Sequence, residues 1–492
     1  MKKTFLGLLS VFIIFGCSED KTNLINITAA SLKMSSWRPL ATTNSVATLQ
    51  VLNSLGQPIE NSQVLIGSAL GIPFENNLFV TNKNGMIENL TAWTTQEHIT
   101  ADAAGFVRQT LLSQNPGYIV IKLNTASLVN QSTITGQVTR LPVVNGDKNI
   151  DFGLVMAAMT RSDILNFDLD SVISPITDTM KVATSTVPVP TNVSLPKQQE
   201  RYYFNLTVEK PQYRFFSPSI GHRQLFAAAG RFPFGTVVDE LRSGKPFYDV
   251  INYFDLRGGG LRDVVMTGPV TTMDIPGDEL AFTKPISIAS PTLNAGEIFI
   301  ALSASEISGF LIPTGIKKMA ANTTAGLNAL TNAPTLTINV IKKQSEFMAQ
   351  TPGADRLSAA LLPYSQNVKP TMLPLIGNPS VLNSNGYIVT LPALSNVTGV
   401  YPLAVSALIS DIQKSGPADK PVLTLIRKWE ILGTQWPAKI ELPNWPLQIN
   451  LQTTTQKHFE INYIGGLKNE TVNLGDELIN SATHVTHSST DF

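Results

Sequence analysis

Few residues in this chain have the types and spacing that chemistry needs. The five histidines stand at 98, 222, 458, 484 and 487, and only His484-Val485-Thr486-His487 brings two of them close. On a strand that spacing sends the rings to opposite faces, so the pair reads as coincidence near a polar C-terminus and not as a metal site. Asp163, Asp168, Asp170 and Asp178 form an acidic run. Asp168 and Asp170 share a strand face and can offer two carboxylates to calcium, but the run lacks the turn glycine and the twelfth-position glutamate of an EF-hand loop. Solvated carboxylates or helix caps account for them, and no metal or other cofactor is assigned. No G-x-S-x-G, H-E-x-x-H, Walker or dinucleotide pattern occurs.

Two further groups invite a binding role. Asp249, Asp255, Arg257, Arg262 and Asp263 surround Gly258-Gly259-Gly260. The triplet reads as a helix stop, and Asp255, Arg257, Arg262 and Asp263 as a mixed-charge loop facing a ligand or partner, with a local ion-pair network as the plainer account. Trp429, Trp436 and Trp445 lie among Pro437, Pro443 and Pro446. Such aromatics stack on sugar rings, anchor interfaces or fill cores. Trp429, on an apolar strand, belongs to a core; Trp445, between Asn444 and Pro446, is as readily exposed as buried.

Strands must position nearly all of these residues. Val46-Ala47-Thr48-Leu49-Gln50-Val51 alternates, as does His458-Phe459-Glu460-Ile461-Asn462-Tyr463, where Phe459, Ile461 and Tyr463 share a face. Glu297 to Leu302, Thr335 to Val340, Tyr387 to Leu391, Leu423 to Ile426 and Leu447 to Leu451 are further strand-like runs. Helical periodicity is confined to one island. Thr236 precedes Val237, Val238 and Leu241 with Asp239 three positions on, a capping-box-like start, and Ser243-Gly244 ends it. Phe247, Val250, Ile251 and Phe254 then follow at i, i+3, i+4 and i+7 after Pro246. This pair is expected to plug the end of a sandwich. The fold class is therefore mainly β: several β-sandwich domains of immunoglobulin-like or transthyretin-like type, with a short helical insertion near 236–254.

Charge and composition exclude some functions. The chain holds 36 basic and 36 acidic residues, 43% apolar and 15% charged, so no basic field exists for nucleic acid. Thirty-one prolines and 33 glycines, with this apolar content, suit a turn-rich β protein and not a disordered tether. A single cysteine excludes internal disulfides and thiolate clusters.

That cysteine, Cys17, follows Met1-Lys2-Lys3 and an apolar run from Phe5 to Phe15, a layout of basic start and short apolar core too brief to span a bilayer. Ile14-Phe15-Gly16-Cys17 resembles the lipobox of bacterial lipoproteins. The resemblance implies cleavage before Cys17, removal of residues 1–16 as a signal peptide, and palmitate-type acylation of Cys17. Ser18 at the next position implies the outer membrane, periplasmic or surface-exposed, and Ser18-Glu19-Asp20 is similar to the acidic export tag of some surface lipoproteins. Loss of Lys2 and Lys3 leaves 34 basic against 36 acidic residues, a net charge of −2.

A second resemblance covers residues 24–124, beyond a tether at 17–23. Leu55-Gly56-Gln57-Pro58-Ile59, Val64-Leu65-Ile66-Gly67, Thr81-Asn82-Lys83-Asn84-Gly85 and Ile99-Thr100-Ala101-Asp102-Ala103-Ala104-Gly105-Phe106 follow one another in the order seen in carboxypeptidase regulatory-like and bacterial Ig-like modules. It implies a small sandwich that folds alone, and no particular function. The rest divides into a β domain with the helical insertion (125–290), a β-rich domain (291–399) and a C-terminal β module (400–492). The expected role is non-catalytic binding, adhesion or scaffolding at the envelope, with the membrane as partner through the lipid and an envelope protein or glycan as the other. The alternative is an envelope hydrolase, glycan-directed, using carboxylates from unlinked positions.

Overall fold

A computed structural model describes residues 46–53, 56–126, 132–140, 149–161, 176–182, 185–194, 201–204, 212–217, 221–266, 268–347, 356–383, 387–415, 422–443, 456–470, 472, 474 and 476–492. The chain is mainly β, 58% strand and 8% helix, in several sheets joined by few short helices. The alternating runs form strands as their pattern requires: Ala47–Asn53, Glu297–Ile307, Thr335–Lys343, Tyr387–Thr390 and Lys457–Gly466 are all extended. In Lys457–Gly466, Phe459, Ile461 and Tyr463 enter one core together with Val405, Ala407 and Ile409 of Tyr401–Ser415. The opposite face of the same strand carries His458, Glu460 and Asn462.

One twelve-stranded sheet dominates. Its order is Phe310–Met319, Glu297–Ile307, Thr335–Lys343, Leu357–Pro363, Ala482–Asp491, Lys457–Gly466, Tyr401–Ser415, Val422–Gly433, Arg108–Gln114, Glu97–Asp102, Gln63–Ile66 and Leu78–Val80. Most neighbours are antiparallel. The join between Val422–Gly433 and Arg108–Gln114 is parallel, in register Trp429 to Arg108 and Leu432 to Leu111, and it brings early and late parts of the chain into one sheet.

A three-stranded sheet, Met86–Leu90, Ala47–Asn53 and Tyr118–Leu123, packs across the early strands to make a sandwich. Its turn at Thr81 to Gly85 closes as its residues dictate: the Asn82 side chain accepts from the Asn84 and Met86 amides, and Gly85 takes φ +67° where a Cβ would lie 2.4 Å from the Val51 carbonyl. The core of this sandwich extends beyond residues 24–124. Leu403, Ala404, Leu432, Ile464, Leu474 and Leu478 complete it beside Leu49, Val64 and Ile121, so the segment expected to fold alone shares its interior with the C-terminal strands.

The helical island is real, but its boundaries differ from expectation. Helix α1 spans Phe234–Arg242 and has Pro233 at its N-cap with no side-chain cap, three residues before Thr236. The strand Gly221–Pro233 runs straight into the helix, and this fixes the start more firmly than the hydroxyl of Thr236 could. Its end is as expected, with Gly244 at φ +84°. Helix α2 is only Phe247–Val250, followed by a 3-10 turn at Ile251–Tyr253, after which Phe254 is already extended. The aromatic stripe still packs together: Phe254 stacks on Phe232 at 4.8 Å and meets Phe152 edge-on at 5.3 Å and Phe247 at 5.9 Å. Phe152, Phe232, Val237 and Val250 form the buried centre of this plug, which lies on the sheet of Asn149–Ala157, Gly221–Pro233, Asp255–Met266 and Leu280–Ala281.

The glycine triplet does not stop a helix. Gly258 to Gly260 lie inside the twelve-residue strand Asp255–Met266. A Cβ at Gly260 would sit 2.1 Å from the Pro276 carbonyl oxygen, one at Gly259 2.5 Å from that of Ala227, and one at Gly258 2.5 Å from that of Gly277. Glycine is required here because two backbones press on the strand from both faces, a strand use of glycine that a local pattern does not separate from a terminator.

Candidate functional sites

The sequence-derived rim is not a loop: its four charged residues lie on Asp255–Met266, a strand paired on one side with Gly221–Pro233 and on the other with Leu280–Ala281. Asp255 and Arg257 are two apart on Asp255–Met266, hence on one face, and Arg257 Nε donates to Asp255 Oδ2 at 2.8 Å. Arg262 grips Glu279 with two bonds of 2.6 Å each, and Arg140 reaches Asp278 at 3.1 Å and Glu279 at 3.2 Å. The hydrogen bond from Arg262, helped by the charges of Arg262 and Arg140, holds the Glu279 carboxyl below its ordinary range. Asp263 is exposed on the same strand. Asp249 belongs elsewhere, paired with Lys318. The group is a surface ion-pair network in which each arginine already holds a carboxylate. Cys17, Asp163, Asp168, Asp170 and Trp445 lie outside the described residues, as does the side chain of Asp178.

Sequence reasoning missed a buried polar row on the dominant sheet. His458 is 1% exposed. Its Nδ1 lies 2.6 Å from Asp491 Oδ1 and its Nε2 3.3 Å from Glu460 Oε1, so one imidazole bridges two carboxylates. Asn462 Oδ1 meets His487 Nδ1 at 2.9 Å; on the other face of the strand Lys457 reaches Asp411 at 2.9 Å, and Lys428 reaches the same carboxylate at 3.5 Å. Ser410 stands opposite His458 in the register, yet its buried Oγ has no hydrogen-bond partner, so the nucleophile–base contact that acyl transfer needs is not formed. The signal for this row was present in the sequence as the polar half of His458 to Tyr463, but its partners come from a strand about thirty residues on, as the separation of 33 between His458 and Asp491 records.

His484 and His487 do face opposite ways. His484 Nε2 meets the Thr371 carbonyl at 3.1 Å, while His487 joins Asn462. Burial lowers the His484 ring to a pKa of about 4, against a smaller opposing contribution from the Thr371 carbonyl. Trp429 is buried and donates to Thr110 Oγ1 at 2.8 Å. Trp436 is half-buried at the end of its sheet and donates to the Ile464 carbonyl at 2.9 Å.

No family model matches the chain, and no curated protein matches it. Among solved structures, one described as a biofilm associated protein, BSP domain, aligns over 84% of this chain and 86% of its own at 9% identity, with a TM-score of 0.09. A score that low carries no argument about fold or role. Among the described residues no helix is long and apolar enough to cross a membrane.

Proposed function

We propose that the protein is a lipid-anchored component of a bacterial outer envelope, periplasmic or surface-exposed, with a non-catalytic binding, adhesion or scaffolding role toward an envelope protein or glycan. What supports the anchor is Ile14-Phe15-Gly16-Cys17 at the end of a short apolar run. What carries the non-catalytic reading is one observation: in the richest polar constellation among the described residues, the His458 ring is buried and both its nitrogens are taken up by carboxylates of the same sheet. An enzyme needs such groups open to a substrate. The rival is a hydrolase using carboxylates from unlinked positions such as Asp163, Asp168, Asp239 or Asp263, of which Asp239 and Asp263 are exposed on separate elements, α1 and the strand Asp255–Met266.

Labelled palmitate entering the wild type but not Cys17→Ser is the outcome expected of the anchor; equal labelling of both refutes it. The role is tested in whatever envelope phenotype deletion produces. Trp445→Ala is expected to weaken it while Asp168→Asn and Asp263→Asn leave it intact, because interface energy concentrates in aromatics. Loss of the phenotype in a folded aspartate variant, with the tryptophan variant normal, would replace this reading with the hydrolase.

A further inference from the structure

Ten large apolar side chains are exposed among the described residues. Singly scattered, such residues need no explanation. Five of the ten are not scattered. Val46, Leu70, Ile72, Tyr401 and Leu467 all lie at one end of adjacent strands. The register shows this directly. Ile66 pairs with Ile99 at the end of Gln63–Ile66 that leads into the loop bearing Leu70 and Ile72, and Leu111 of Arg108–Gln114 lies beside Leu432, close to the Gly433 terminus. Gly433 pairs with Val405, on the side of Tyr401, and Tyr401 pairs with Gly466, which precedes Leu467. The chain enters at the same end, since the Thr48 amide donates to the Gly117 carbonyl in the turn just beyond Gln114.

The loop that presents Leu70 and Ile72 is held rigidly. Buried Asn77 donates its amide to the carbonyls of Ile66, Ala69 and Ile72 at 2.7, 2.7 and 2.8 Å, and its Oδ1 accepts from the Gly71 amide at 2.7 Å. Gly67, at φ +109°, lets the loop fold back where a Cβ would lie 2.1 Å from the Ile72 carbonyl. Leu70 and Ile72 are nevertheless 49% and 55% exposed. A loop ordered by an internal asparagine while its apolar tip faces water is prepared to contact something apolar at little further cost in entropy.

We infer that this end of the sheet is a membrane-contacting rim, its occupant the bilayer in which Cys17 is anchored. The inference rests on the lipid-anchor reading above. Twenty-eight residues separate Cys17 from Val46, a connection that starts in the bilayer and enters the fold at this rim. Tyr401 and half-buried Trp436 sit at the same end, and aromatic rings with one polar edge suit the lipid–water boundary. The rim turns the apolar tips of the loop and of Leu467 toward the acyl boundary and leaves the remainder of the long sheet outward for a partner.

The full lipidated chain, reconstituted in phosphatidylethanolamine and phosphatidylglycerol vesicles with brominated acyl chains, tests this. A fluorophore is attached in turn to Leu70→Cys, Leu467→Cys and Val265→Cys, the last on the separate sheet that carries the glycine triplet. Far-UV spectra confirm that each folds. Severalfold stronger quenching at 70 and 467 than at 265 is the expected result. Equal quenching at all three positions, with palmitate incorporated at Cys17, overturns the rim while leaving the anchor standing. Absence of palmitate in the same preparation overturns the anchor and the rim with it.

Discussion

The Arg108 guanidinium lies over the Trp429 ring, 4.7 Å from its centroid, joining two strands that are far apart in sequence and parallel in space. Arg108 is also paired with Asp102 at 3.0 Å, both groups buried. Trp429 fills the same seam from the other side and spends its indole N–H on Thr110. The cation, the ring and the hydroxyl together fix the one parallel join that the dominant sheet has among the described residues, where a slip of one residue would turn every side chain to the wrong face.

Trp429→Ala is therefore expected to cost about 3 to 5 kcal/mol, as for other buried tryptophans. Thr110→Val keeps the shape but leaves a buried N–H unpaired and should cost about 1 to 3 kcal/mol. Urea unfolding followed by tryptophan fluorescence measures both. Losses below about 1 kcal/mol at the two positions would mean that the seam contributes little to holding the sheet together.

Residues 24–124 expressed alone should give a β-type far-UV spectrum without a sharp melt, and should self-associate. Separation removes Leu403, Ala404, Leu432 and Ile464 from the shared core, exposes buried Arg108 and Asp102, and leaves Arg108–Gln114 as an unpaired edge. Sedimentation and thermal scans check this, and a monomer with a cooperative transition would show that the segment closes its own core after all.

These elements also show where sequence reading succeeds. Alternation in Phe459, Ile461 and Tyr463 marks a strand because burial on one face acts locally at every second residue. The aromatic stripe at Phe247 and Phe254 was legible for the same reason, though the helix there lasts one turn. The roles of Gly258 to Gly260, Asn77 and Arg108 were not legible. Each depends on a neighbour supplied from a distant or looped-back segment: the Pro276 and Ala227 carbonyls for the glycines, three loop carbonyls for Asn77, and Trp429 for Arg108. A residue type does not reveal such a neighbour.

The buried His484 ring makes stability depend on acid. Its folded pKa of about 4 lies below the ordinary 6.5, so between these values the unfolded chain binds the proton and the folded one does not. The contribution is complete above pH 6.5 and is lost as pH falls toward 4, to a limit of about 3 kcal/mol at 1.36 kcal/mol per pH unit. His484→Gln removes the titration. The difference in unfolding free energy between wild type and variant, measured from pH 7 to 4, should shrink or reverse across that window. A constant difference would show that the ring titrates normally.

Two glycines with opposite surroundings give the sharpest test of the packing. At Gly260 the added methyl would meet the Pro276 carbonyl oxygen at 2.1 Å, and a backbone atom held in the parallel pairing of Ile275–Pro276 with the Ser132–Thr139 strand does not yield as a flexible side chain would. Gly260→Ala should therefore cost about 1 to 3 kcal/mol or more as the pairing is forced apart. Gly235, in the first turn of α1, has an ordinary helical backbone and no atom within 4 Å of where a Cβ would stand. Gly235→Ala should stabilise by about 0.5 to 1 kcal/mol, because it removes freedom from the unfolded chain and adds no clash. Denaturant midpoints for the two variants should move in opposite directions. If both move the same way, the close approach of Ile275–Pro276 to the triplet is not what makes glycine necessary there.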